Sequence, residues 1–289
     1  MMKAIFGFIF LSFFLILSSK EVQTQETKTP SYSTYYDMEK IDQGIFGVYY
    51  YAKDPKKMKL MITKNDIQYV YNVYSEGEVV YYPLQLGDGS YNVSLYENVS
   101  GTKYRKVMTQ SLQLNLTDDY IVFLQSIQEI NFNESDQSII FTMEMMEEAL
   151  ATKNKKYNSF QFSSLTDREK INTIYSFILE AIEYDFEKIK KLDYSYLPDN
   201  DKTLEIGSGI CYDYSSLFAS MLRWENIPTK MVKGYAKDSE VYHAWNEVFL
   251  TSTKEWVVVD TTFDAYAYQN NRDYDFEKSV DEYNKVKEY

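Results

Sequence analysis

The chain has 289 residues, 45% of them hydrophobic and 17% aromatic, with a formal net charge of −13. This composition excludes a disordered chain, which could not bury enough apolar surface to offset its ordering entropy, and the acidic balance excludes a nucleic-acid binder, which needs a positive footprint for phosphates. A single cysteine and a single histidine also exclude an ordinary zinc cluster, so neither a metal nor another cofactor is expected.

Met1, Met2 and Lys3 give the N-terminus a positive start, followed by an almost unbroken Phe/Ile/Leu run from Ala4 to Leu17 and by Ser18 and Ser19. That three-part pattern predicts a secretory signal peptide over residues 1–19. The run is shorter than the about 20 residues of a membrane span. Leu17 and Ser19 make a poor cleavage site, so an uncleaved anchor is the alternative and the one membrane connection expected. The protein is therefore expected outside the cytoplasm, secreted or associated with the cell envelope. Residues 20–44 read as a polar spacer without period.

From 44 to 118, short runs rich in Val, Ile, Tyr and Thr alternate with turn signals such as Asp54-Pro55 and Gly87-Asp88-Gly89. This pattern predicts an all-β, Ig-like sandwich. Residues 119–165 read as a connector with a helix near Ile139 to Leu150. Thr166 and Glu169 have the spacing of a capping box. They open a predicted helix from about Asp167 to Glu183, with Ile171, Ile174, Tyr175, Ile178, Leu179 and Ile182 on one apolar face. Lys188 to Asp201 reads as a loop with a further helical turn.

The most informative stretch follows. Gly207 and Gly209 flank a tight turn into Cys211, and Tyr214, Leu217, Phe218, Met221 and Leu222 then form one helical stripe. Cys211 therefore stands at a helix N-terminus, where free N–H groups and the helix dipole favour a thiolate. Gly209 keeps the approach to sulfur open. Lys230 to Ala236, His243 to Leu250 and Glu255 to Asp260 read as three strands, the last two joined by a loop short enough for a hairpin. If Leu250 pairs with Glu255, Trp245 lies opposite Asp260. His243 and Asp260 then become diagonal neighbours on one face, within side-chain reach. A thiol, an imidazole and a carboxylate in this order are the parts of a nucleophilic triad. Trp245 and Trp256 are most simply core aromatics. Residues 265–289 read as an acidic, tyrosine-rich tail.

The stretch from about Asp167 to Asp264 resembles the transglutaminase-like superfamily, in particular its exported bacterial members. The resemblance is carried by Tyr184-Asp185, by Gly207-x-Gly209-x-Cys211-x-Asp213-Tyr214 and by Ile227-Pro228-Thr229-Lys230. It continues through Gly234-Tyr235, Tyr242-His243-Ala244-Trp245-Asn246-Glu247-Val248, and Trp256 to Asp260 followed by Thr262-Phe263-Asp264. It implies an α+β chain with a papain-like core over residues 166–264, in which a nucleophile helix packs on an antiparallel sheet. It implies Cys211 as nucleophile, His243 as general base and acid, and Asp260 as the group that orients the imidazole. Tyr184 is the implied upstream partner in the oxyanion hole, with Gly209 and Trp245 in support. The later β-domains of the animal enzymes and a calcium-loop pattern are missing here.

The expected partner is a protein or peptide substrate, with an envelope-associated one among the candidates. The leading reading is acyl transfer through a Cys211 thioester to an amine or to water. A cysteine peptidase or amidase on the same triad is the first alternative. A non-catalytic envelope or adhesion protein that binds through its β domain is the second.

Overall fold

The computed structural model describes residues 32–133, 137–153, 162–193, 195–237 and 239–289. The signal or anchor segment 1–19 lies outside these residues. The elements in order are β1 (Tyr32–Asp37), β2 (Ile45–Ala52), β3 (Met58–Lys64), β4 (Ile67–Val73), β5 (Val79–Pro83), β6 (Gly89–Ser100) and β7 (Lys103–Leu114), then α1 (Gln137–Lys153), α2 (Asp167–Ala181), β8 (Glu183–Tyr184), α3 (Asn200–Ile206), β9 (Ser208–Gly209), α4 (Cys211–Trp224), β10 (Thr229–Ala236), β11 (Tyr242–Leu250), β12 (Glu255–Val259), α5 (Thr261–Gln269) and β13 (Tyr283–Glu288). The fold is α+β with a β-rich N-terminal region. Among the described residues no helix is long and apolar enough to cross a membrane.

The described residues divide into two compact units: those within 32–35, 49–78 and 90–113 in one, and those within 36–48, 79–89 and 114–289 in the other. The first unit carries an antiparallel sheet in the order β4-β3-β6-β7. Its apolar face follows from period-two patterning. Leu60 lies between Tyr71 and Leu95, and Ile62 between Tyr69 and Val93, and all six are buried. Ser90 and Asn92 of β6 point the other way and are exposed.

In the second unit α4 packs between α2 and the sheet β12-β11-β10-β13. Thr166 caps α2 through the Glu169 N–H, and the Glu169 carboxylate accepts the Thr166 N–H in return. The predicted apolar stripe of α2 meets that of α4, and Val248 and Val259 of the sheet close the same core. Asn246 joins helix to sheet, donating from Nδ2 to the Ser215 carbonyl at 2.9 Å and to the Lys230 carbonyl at 3.1 Å. Leu250 pairs with Glu255 and Asn246 with Val259, the register the loop length predicts.

Three expectations need correction. The 20–44 spacer contains strand β1, whose Tyr/Thr/Ser composition hides it from a hydrophobicity reading. The 188–201 loop ends in α3, which begins where Asp199 caps the Lys202 N–H at 3.0 Å. The 265–289 segment is not a tail. Residues 261–269 are helical, and β13 completes the sheet beside β10. Its exposed, charged outer face gives no apolar alternation to read.

Candidate active site

Four chain segments converge on the thiol. Gly207, at φ +68°, ends α3 in the left-handed conformation that glycine adopts most easily. The chain then pairs Glu183 with Ser208 and Tyr184 with Gly209 in a short parallel ladder. Ile210 is the N-cap of α4, and Cys211 is its first residue. The turn is braced by Asp213, whose Oδ2 accepts the Ile210 N–H at 2.8 Å and the Lys188 ammonium at 2.6 Å; Tyr196 donates to its other oxygen. A Cβ on Gly209 would lie 2.7 Å from the Asp213 Cβ, closer than real Cβ atoms approach. The glycine is thus required by packing as well as by the turn.

His243 stands near the start of β11, and Asp260 follows β12 as the N-cap of α5. The register brings them together: His243 Nε2 and Asp260 Oδ2 are 2.7 Å apart and buried. Asp260 makes two further hydrogen bonds, accepting the Phe263 N–H at 3.1 Å and the Tyr283 hydroxyl at 3.0 Å. Its position is therefore fixed by a helix cap, a neighbouring strand and β13 together. Burial alone would push the His243 pKa down. The hydrogen bond and charge of Asp260, with a smaller contribution from nearby Cys211, outweigh it and raise the value to about 10. The imidazole stacks on the ring of Phe263, with centroids 4.5 Å apart, and lies nearly parallel to that of Trp245, at 6.3 Å.

Trp245 is itself buried and packs against the ring of Tyr283, with centroids 4.9 Å apart. Tyr184 lines the same cavity as Cys211 and His243. Its hydroxyl pKa is pushed up to about 12, by burial first and then by the charges of Cys211 and Asp213. It is thus a protonated donor at neutral pH. Behind the thiol the Lys233 ammonium sits 3.3 Å from the centroid of the Tyr212 ring. Burial lowers its pKa to about 8 against the opposing charges of Glu129 and Cys211.

A second buried carboxylate lies near the first. Asp264 accepts the Tyr175 hydroxyl at 2.8 Å and pairs with Lys278. Burial raises its pKa to about 6, and the charge of Asp260 acts in the same direction against Lys278 and Tyr175.

The structure thus places Cys211, His243, Asp260, Tyr184, Gly209 and Trp245 in one neighbourhood. Tyr283 escapes sequence reasoning because it comes from the segment read as a tail. The ring of Phe263 on the imidazole escapes it too, although that residue belongs to the Thr262-Phe263-Asp264 motif. Among the described residues no group of three or more His, Cys, Asp or Glu side chains could hold a metal ion.

No curated protein sequence matches the chain. Several solved structures overlap it loosely. A provisionally assigned cysteine protease from Cytophaga hutchinsonii is 14% identical, with 91% of this chain and 72% of that one covered and a TM-score of 0.38. Legionella pneumophila LapG is 10% identical, covering 55% and 77% at a TM-score of 0.38. The periplasmic domain of TgpA from Pseudomonas aeruginosa is 14% identical, covering 85% and 97% at a TM-score of 0.36. Overlaps this loose add nothing to the chemistry read from the side chains. The family assignment rests on the sequence: residues 158–261 match the model of the transglutaminase-like superfamily. The match takes in α2, α4, the Cys211 turn, His243 and Asp260, and stops before Phe263 and Tyr283. The segment 158–261 of this chain belongs to the transglutaminase-like superfamily.

Proposed function

We propose that this chain is an exported cysteine-dependent acyl-transfer enzyme acting on protein or peptide amides. The observation that supports it most is the buried Asp260 carboxylate 2.7 Å from Nε2 of the one imidazole, with that imidazole and the sole cysteine lining one open cavity. Nε2 is committed to Asp260, so Nδ1 is left for sulfur. In the reaction, the Cys211 thiolate attacks the carbonyl carbon of a carboxamide. The imidazolium gives its proton to the departing nitrogen as the C–N bond breaks, and a thioester remains. His243, now neutral, takes a proton from an incoming amine or water as that group attacks, and sulfur leaves as the thiolate. The Cys211 N–H, one of the first-turn amides that a helix leaves without an intrahelical acceptor, and the Tyr184 hydroxyl are the candidate donors for the oxyanion. Asp260 orients and charges the imidazole without itself exchanging the proton.

A peptidase or amidase would use the same groups, with water as the acceptor. The deciding experiment is mass spectrometry of the products from a glutamine-containing peptide, with and without a primary amine. Incorporation of the amine supports transfer, and deamidation or chain cleavage in both arms makes the enzyme a hydrolase. A Cys211 that reacts with no amide would favour the binding-protein reading. Export rests on the N-terminal pattern of residues 1–19. N-terminal sequencing of released and cell-associated protein distinguishes cleavage from anchoring, and intact protein in the cytoplasm would defeat both.

A further inference from the structure

The cavity beside the thiol has a volume of about 350 Å³. Apart from the reacting groups, its wall is mostly apolar and aromatic, with Ser239 and Thr262 adding two hydroxyl groups. Phe186 and Ile189 come from the segment after β8, Val241 and Tyr242 from the start of β11, and Phe263 and Tyr266 from α5. Among the described residues no Asp, Glu, Lys or Arg lines it, in a chain where 25% of residues are charged. All six named side chains are exposed. Single exposed apolar residues are ordinary, but six converging on one mouth mark a surface that is covered in use. Phe263 ties this wall to the chemistry, since one residue donates its N–H to Asp260, stacks on His243 and forms part of the rim.

We propose that this cavity is a specificity subsite for an aromatic or large aliphatic side chain flanking the reacting carboxamide; the inference rests on the acyl-transfer reading for the identity of the reacting group. Two physical arguments select this occupant. Covering exposed apolar wall with an apolar side chain is favourable in proportion to the area removed from water. A charged side chain in the same place would lose water and find no partner of opposite sign among the described lining residues. The subsite adjoins the thiol directly, so a side chain seated in it brings the neighbouring carboxamide to sulfur. Binding energy from that side chain then helps to position the reacting group.

The test uses the full chain and a set of glutamine peptides that differ only in the residue beside glutamine: Phe, Leu, Ser, Asp or Lys. Binding is measured by fluorescence anisotropy on Cys211→Ala, and kcat/KM for ammonia release on the unmodified protein. The Phe and Leu peptides should exceed the Asp and Lys peptides by about tenfold or more in both measurements, with Ser between. Phe186→Ala and Val241→Ala should each narrow the Phe-to-Asp ratio, mainly through KM. Tyr268→Ala, outside the cavity, should leave the ratio where it was. Equal binding across the set, or a ratio unmoved by both wall variants, overturns the subsite. Selective binding without ammonia release or cleavage upholds the subsite and overturns the acyl-transfer reading instead.

Discussion

Replacing Asp260 with asparagine puts the most strain on the proposed chemistry. The carboxylate accepts three hydrogen bonds, from His243 Nε2 at 2.7 Å, the Tyr283 hydroxyl at 3.0 Å and the Phe263 N–H at 3.1 Å. It does so with no exposed surface. Asparagine offers one acceptor oxygen and a donor NH₂. With the oxygen toward His243, the NH₂ faces the Phe263 N–H and the cap of α5 is lost, a cost of about 1 kcal/mol. With the amide reversed, the NH₂ faces His243 and selects the wrong tautomer. In either pose the charge that raises the His243 pKa is gone. A hydrogen bond to a charged group contributes about 1.5–3 kcal/mol, which corresponds to roughly 10- to 150-fold at about 1.4 kcal/mol per decade. The same exchange in a serine triad costs on the order of 10⁴ in turnover, and a cysteine needs less help from its base. We therefore expect kcat to fall about 10²-fold, read as incorporation of a fluorescent primary amine, with thermal unfolding followed in parallel. A folded Asp260→Asn protein with unchanged kcat would refute the role. The nearby carboxylates offer no rescue: Asp264 is held by Tyr175 and Lys278, and Asp213 by Ile210, Lys188 and Tyr196.

Cys211→Ala should abolish the covalent acyl adduct seen by intact-mass spectrometry, and His243→Ala should nearly abolish it; an adduct surviving in Cys211→Ala would place the nucleophile elsewhere. Gly209→Ala forces its Cβ against Asp213 and should lower stability by about 1–3 kcal/mol, with slower alkylation of Cys211 by iodoacetamide; an unchanged melting curve would mean that the turn yields easily. Because the folded-state pKa of His243 is raised to about 10 from about 6.5, the folded protein keeps a proton that the unfolded chain gives up. That stabilisation is complete below pH about 6.5 and is lost as pH climbs toward about 10, so denaturant titrations across this window should show a decline that flattens in Asp260→Asn. Tyr283→Phe removes one donor from the buried carboxylate and should cost about 1–2 kcal/mol, with a smaller loss of kcat than Asp260→Asn; a larger loss would make Tyr283 a participant in the reaction.

Much of the core was legible because its signals are local. The 3–4 spacing of Ile171 to Ile182 and of Tyr214 to Leu222 dictates two amphipathic helices, since only that period keeps the apolar groups on one face. Thr166 and Glu169 mark a helix start through hydrogen bonds that span three residues. The four residues between Leu250 and Glu255 set a hairpin register, and that register alone carries His243 to Asp260. The rest was decided by groups distant in sequence. Tyr283 reaches Asp260 only because β13 returns to pair with β10, and a short, charged strand has no periodic signature of its own. Phe263 covers the imidazole because Asp260 caps α5 and so holds the first turn of that helix beside His243. The raised His243 pKa is a balance between burial, which is a property of the packed fold, and two partners that packing brings near. The largely apolar wall beside Cys211 is assembled from segments after β8, at the start of β11 and within α5. No window of sequence contains it, because apolar residues scattered along a chain form a surface only when the fold brings them together.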